Sequence, residues 1–265
     1  MINRLLAPIL RRIHLGNRAE RIWKIAQLDF KKRYYNSTLG LFWALLNPLF
    51  RIGIYYYVFT VFFTRPVDNF ALYLFSGLIF WMFFKESSSK GIKTITKNRY
   101  LIESIQFDSI DLFYSGGIST LLGFLFNLSA YLLLAVCLGI SFGYNLLLLP
   151  VLIINVSIIG IATGLILSTI NIFFKDIRYF WDMVTLLGFW TCPIFFRGQA
   201  VLEKAPALLY LNPISGIIIN SRPILLTDDP INWFWIIYDM AFALVLFVLA
   251  VKIFKAFSHR AVEMM

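Results

Sequence analysis

The chain has 265 residues, 60% of them hydrophobic, 18% aromatic and only 14% charged. Soluble domains carry roughly 25% charged residues, so the composition excludes an ordinary soluble enzyme and points to an all-α polytopic membrane protein. The net charge of +10 fits cytoplasmic loops beside anionic lipid and is not read as a nucleic-acid footprint.

Residues 1–33 do not read as a cleaved leader, because the apolar piece is short and Arg11 and Arg12 interrupt it. Ile2, Leu5, Leu6, Ile9, Leu10 and Ile13 recur at helical spacing, which predicts an amphipathic helix lying in the cytoplasmic interface. Gly16-Asn17 ends it, and a second basic helix over about 18–33 leads into the membrane domain, 34–265. The stretch from Asp29 to Pro48 is the entry point: Lys31, Lys32 and Arg33, then Tyr34 and Tyr35, then an apolar run from Leu39. Cations in the headgroup layer and tyrosines at the interface give that order. Asn47 and Pro48 inside the run call for packing within a bundle, since proline leaves a backbone group to be satisfied by neighbours.

Six transmembrane spans are expected, over 37–63, 70–90, 108–140, 146–173, 177–196 and 231–254. The apolar part of the second is short, so its helix must run on through Lys85 and Ser87. Residues 205–226 are apolar as well, but Pro206, Pro213 and Pro223 break any single helix there. Two short re-entrant helices on the external side are expected instead, capping a pathway. With the N-terminus inside, 19 Lys and Arg fall in inside segments and four in outside loops, with Arg51 within a span. That bias places both termini in the cytoplasm. Cys137 and Cys192 sit in apolar runs and read as small buried hydrophobes. His14 and His259 lie near the ends, so no metal and no bound cofactor are expected in the bundle.

Four segments in order carry a family resemblance. The first is Arg33, Tyr34, Ser37, Leu39, Gly40, Trp43, Asn47 and Pro48. The second is Asn171 followed by Lys175, Asp176, Ile177 and Arg178. The third is Cys192-Pro193-Ile194, and the fourth is Asn212-Pro213 followed by Ser221-Arg222. Together they resemble the bacterial ABC-2 type permeases that export O-antigen, capsule and teichoic-acid polymers; Cys192 and Ser221 depart from the pattern. The resemblance implies a homodimer in the bacterial inner membrane, framing a path for lipid-linked polysaccharide. It also implies two copies of a separate ATPase that bind ATP and Mg. The sequence contains no Gly-Lys pair, hence no phosphate-binding loop of its own.

In this family the loop between the second and third spans is the coupling helix that rests on the ATPase. Here it is 93–111, with Tyr100, Leu101, Ile102 and Glu103 as the expected contacts. Arg51 falls near mid-membrane, as does Asp239. An intramembrane charge seeks a partner or a wet path, so the two are expected either to pair or to leave Arg51 facing the pathway. Tyr55, Phe59 and Phe62 share a helical face at i, i+4 and i+7 and are expected to line the pathway for sugar rings, with Tyr57 pointing away. A small-molecule or drug exporter of the same superfamily, and an integral-membrane acyltransferase, are the alternative readings. Against the acyltransferase, no acid, base or nucleophile cluster converges in the spans.

Overall fold

The computed structural model describes residues 18–34, 40, 42–62, 69–98, 108–196 and 198–263. These are all helix and connecting turns, with no strand among them. The elements are α1 (Arg18–Tyr34), α2 (Phe42–Phe62), α3 (Phe70–Ile92) with a single turn at Thr94–Lys97, α4 (Ser109–Cys137), a 3₁₀ turn (Tyr144–Leu148) running into α5 (Leu149–Phe173), and α6 (Ile177–Thr191). Then come three short pieces, α7 (Gly198–Lys204), α8 (Pro206–Leu211) and α9 (Ser215–Arg222), a π-helical turn (Pro223–Thr227), and α10 (Trp233–Glu263).

Four helices are long and apolar enough to cross a membrane: Phe70–Ile92, Ser109–Cys137, Tyr144–Phe173 and Trp233–Phe257. Two of the six expected spans fall short of that description. α2 has 21 residues but carries Asn47, Pro48 and Arg51, which lower its apolarity. α6 has 15 residues, about 22 Å of helix against a hydrocarbon core of about 30 Å. It stops at Cys192-Pro193, where proline has no N–H to give. α3 does continue through Lys85 and Ser87, to Ile92. The 205–226 stretch is broken near each of its three prolines, as its sequence requires.

α3 is the central helix. In its apolar window 78% of residues are buried, against 28 to 39% in the other three, so those three leave most of their surface for lipid or other chains. α3 runs along α5, α10 covers α5 from the other side, and α9 wedges between α3 and α10. Small residues permit the closest approach. Ser87 and Gly91 on α3 face Gly160 and Gly164 on α5, each pair at i, i+4, so the two backbones meet without side chains between them. Hydroxyls donate back to carbonyls one turn earlier, as the half-buried Ser157 does to Ile153 at 2.6 Å and the buried Thr169 to Leu165 at 3.0 Å. Cys192 is buried, but Cys137 is exposed at the end of α4, because that helix turns its last residues away from the core.

α1 covers the expected basic helix and packs across the start of α4. Asp108 caps α4, accepting from the backbone N–H of Ile110 at 3.3 Å. Asp111, fully buried, takes an ion pair from Arg18 at 2.7 Å and lies 3.9 Å from Arg21. The hydrogen bond to Asp111, and then its charge, raise the Arg18 guanidinium above its ordinary pKa. Asp111→Leu removes the buried acceptor that Arg18 and Arg21 share and leaves Arg18 only its longer, exposed pair with Asp108 at 3.3 Å. It is expected to free α1, measured as faster proteolysis between Arg18 and Tyr34; an unchanged digestion pattern would show that apolar packing alone holds the helix.

Candidate functional site

The cationic cavity is assembled by three helix ends. Asp29, Lys32 and Arg33 sit at i, i+3 and i+4 of α1 and so share one face. Glu86, Ser89, Lys90, Lys93 and Lys97 form a stripe along the end of α3 and its following turn. Arg178 and Asp182, at i and i+4, come from the first turns of α6. These ten residues line a cavity of about 480 Å³. Six are cations and three are carboxylates. Arg33 pairs with Glu86, and Lys90 with Asp29 at 3.0 Å. Lys90 also donates to Ser119 at 3.1 Å. Lys32, Lys93, Lys97 and Arg178 carry no ion pair among the described residues, and Asp182 is the carboxylate left to offset them. Among the described residues, Ser89 Oγ is buried there without a hydrogen-bond partner. An excess of solvated cations around an unspent hydroxyl is the chemistry of an anion site, suited to phosphate oxygens.

Of the site residues singled out from the sequence, none that the structure describes lies in this cavity. Tyr100, Leu101, Ile102 and Glu103 lie outside the described residues. Arg51 and Asp239 are not brought together. Arg51 is on the exposed face of α2, with its Nε donating to Asn47 Oδ1 at 3.1 Å, one turn back. Asp239 is 1% exposed on α10, against Gly216 of α9, so the expected ion pair is replaced by a local bond within α2. Tyr55 and Phe59 do share a face, which turns inward: Tyr55 lies 5.2 Å from Phe195, and Phe59 stacks on the same ring at 4.9 Å. Tyr57 is 66% exposed on the other side. Phe62 ends α2, and its side chain lies outside the described residues.

A buried arginine also escaped attention as a site. Arg222, at the end of α9, donates to the carbonyls of Ile218 at 2.9 Å, Pro193 at 2.5 Å and Ile194 at 3.2 Å. Its guanidinium carbon lies 4.1 Å over the centre of the Tyr73 ring, and Tyr73 in turn donates to Phe196 O at 2.8 Å. Arg222 thereby fastens α9 to the turn after α6 and to α3. The sequence signal was an arginine inside an apolar, proline-broken stretch.

No family model matches the chain. Two O-antigen export system permease proteins of Klebsiella pneumoniae are each 24% identical to it over 253 residues, covering 95% of this chain and 97% of theirs. One of Myxococcus xanthus is 27% identical over 202 residues, 76% of this chain and 78% of its own length. The chain is a homologue of the O-antigen export permeases. Similarity over nearly the full length of both sequences covers all four segments that first suggested the resemblance, and the cavity belongs to this permease homologue as a whole. Together with four helices apolar enough to cross a bilayer, it makes the chain a multi-pass membrane protein.

Proposed function

We propose that the chain is the membrane subunit of an ABC-2 type exporter that moves lipid-linked polysaccharide, O-antigen or a related polymer, out across the bacterial inner membrane. The observation that carries this reading is the end-to-end similarity to permeases named for O-antigen export. In this reading α2 and α6 join the four long helices to make six spans, 205–226 re-enters from the external side, and both termini are cytoplasmic. Two copies frame the path. A separate ATPase, also in two copies, drives it through contacts at Tyr100, Leu101, Ile102 and Glu103. Catalysis of ATP hydrolysis belongs to that partner, and this chain binds no cofactor.

The cationic cavity gives the reading its chemistry. A lipid-linked polymer ends in an anionic headgroup at the membrane surface. Lys32, Lys93, Lys97 and Arg178 present their charges where α1, α3 and α6 meet, and Ser89 adds a hydroxyl. Hydrogen bonds to charged groups contribute about 1.5–3 kcal/mol each, so losing one cation weakens capture roughly tenfold or more. Lys93→Glu and Arg178→Glu are each expected to lower surface polymer by about that factor, with yield of the permease–ATPase complex unchanged. Lys175→Glu, an exposed cation outside the cavity, is the matched control and should export normally. Normal export from both cavity variants would remove the headgroup role. Reconstituted vesicles that expel a small neutral drug but no polymer would favour the small-molecule alternative.

A further inference from the structure

At the opposite end of α3, roughly 24 Å along its axis from Ser89 to Tyr73, lies a second cavity of about 440 Å³ between α3, α9 and the start of α10. Tyr73, Arg222 and Trp235 are among the residues lining it, with Thr227 and Asp229 at its exposed mouth. Arg222 is 6% exposed. Two of its nitrogens are spent on carbonyls, and among the described residues its Nε–H is buried with no partner. Among the described residues no carboxylate lies within ion-pair distance of it. Carbonyl dipoles and the Tyr73 ring ease a buried cation but bring no net negative charge. A guanidinium that stays charged, unopposed, beside an open cavity is the arrangement that takes an anion from outside.

We propose that this cavity binds a phosphate-type anion carried on a polar head, either a glycosyl phosphate or the glycerophosphate of a lipid. Arg222 supplies the charge. Trp235, 3% exposed, supplies an aromatic wall for the carrier. Asn220 and Asn232 do not serve the ligand. They bond to each other, Asn220 Nδ2 to Asn232 O at 3.1 Å and Asn232 N to Asn220 Oδ1 at 3.0 Å, and so fix the wall. Asp229 is the carboxylate among the lining residues. It accepts from Thr227 at 2.6 Å and stands in the mouth, where it opposes an entering anion.

That opposition gives a test with a definite sign, and the test needs neither a polymer nor the ATPase. The full chain, carrying Arg178→Glu to weaken the cationic cavity, is purified in a polyoxyethylene detergent free of phosphate. Its unfolding temperature is followed against glucose 1-phosphate, glycerol 3-phosphate and glucose. Both phosphates should raise it saturably and glucose should not. Asp229→Asn should lower the apparent Kd severalfold, and Leu226→Trp should fill the cavity and abolish the response at an unchanged starting temperature. Tighter glucose 1-phosphate identifies the polymer as the source of the anion, and tighter glycerol 3-phosphate identifies membrane lipid. An equal response to glucose, a weaker phosphate response in Asp229→Asn, or a full response in folded Leu226→Trp overturns the proposal. Should Leu226→Trp fail to fold, the sign of the Asp229→Asn shift decides. Because export is not measured, failure here leaves the transport reading standing, and failure there leaves this one.

Discussion

Gly91→Ala is expected to be among the most destabilising single substitutions in the chain, although it adds one methyl group. An added Cβ would lie 2.8 Å from the carbonyl oxygen of Gly164 and 2.7 Å from its carbonyl carbon. The atoms it meets are backbone of a neighbouring helix and have no rotamer by which to move aside. α3 and α5 must separate, and α3 is the element on which the others rest. Overpacking a close-packed interior costs about 1–3 kcal/mol, and the upper end applies where backbone has to shift. The reverse position is more forgiving. A Cβ on Gly164 would lie 3.1 Å from Gly91 Cα and 3.3 Å from Ser87 O, so Gly164→Ala should cost less. Gly53, with nothing within 4 Å, is the control and Gly53→Ala should leave the unfolding temperature unchanged. Unfolding of the purified variants checks the order Gly91, Gly164, Gly53; a wild-type value for Gly91→Ala would show that the crossing is looser than described.

Arg222→Met is expected to be the second large effect. It keeps a long apolar stem in place and removes three N–H···O bonds, leaving the buried turn at Pro193 and Ile194 without those donors. An unsatisfied buried group costs about 1–3 kcal/mol, so a loss of about 2–5 kcal/mol is expected. Arg222→Lys should recover part of it, since an ammonium still donates to one or two carbonyls but lacks the planar fork that reaches both sides of the turn. Gly77→Ala should act on the same joint more mildly, because its Cβ would lie 3.2 Å from an Arg222 nitrogen and 3.2 Å from Ile218 Cγ2, which are side-chain atoms and not backbone. Thermal unfolding with export measured alongside separates loss of fold from loss of transport. An Arg222→Met protein as stable as wild type would mean that water satisfies those carbonyls.

Helix boundaries were legible wherever they depend on local chemistry. The basic helix over 18–33, the run of α3 past Lys85 and the breaks at Pro206, Pro213 and Pro223 follow from periodicity and from what proline can donate. Position along each helix was legible too, but it is only one coordinate. Arg51 and Asp239 were matched because both were expected near mid-membrane, and nothing in that reading fixes the direction in which each side chain leaves its helix. The i, i+4 spacing of Asn47 and Arg51 was in the sequence and gives the bond that forms instead. The two cavities were beyond reach for a related reason. Each draws residues from segments far apart in the chain, and only the packing of α3 against its neighbours decides which charged stripes meet.

The ion pairs of α1 have a mechanical meaning. One end of this 17-residue helix is pinned through Arg18 to Asp108 and Asp111, at the very start of α4. Its other end is pinned through Asp29 and Arg33 to Lys90 and Glu86, in the wall of the cationic cavity. A stiff rod about 25 Å long, anchored at both ends, acts as a lever. A displacement of the start of α4 moves one anchor and must reappear as strain at the other. The four cations that carry no ion pair among the described residues line the cavity near that far end, so in the proposed exporter a stroke arriving at the loop before α4 would alter their spacing.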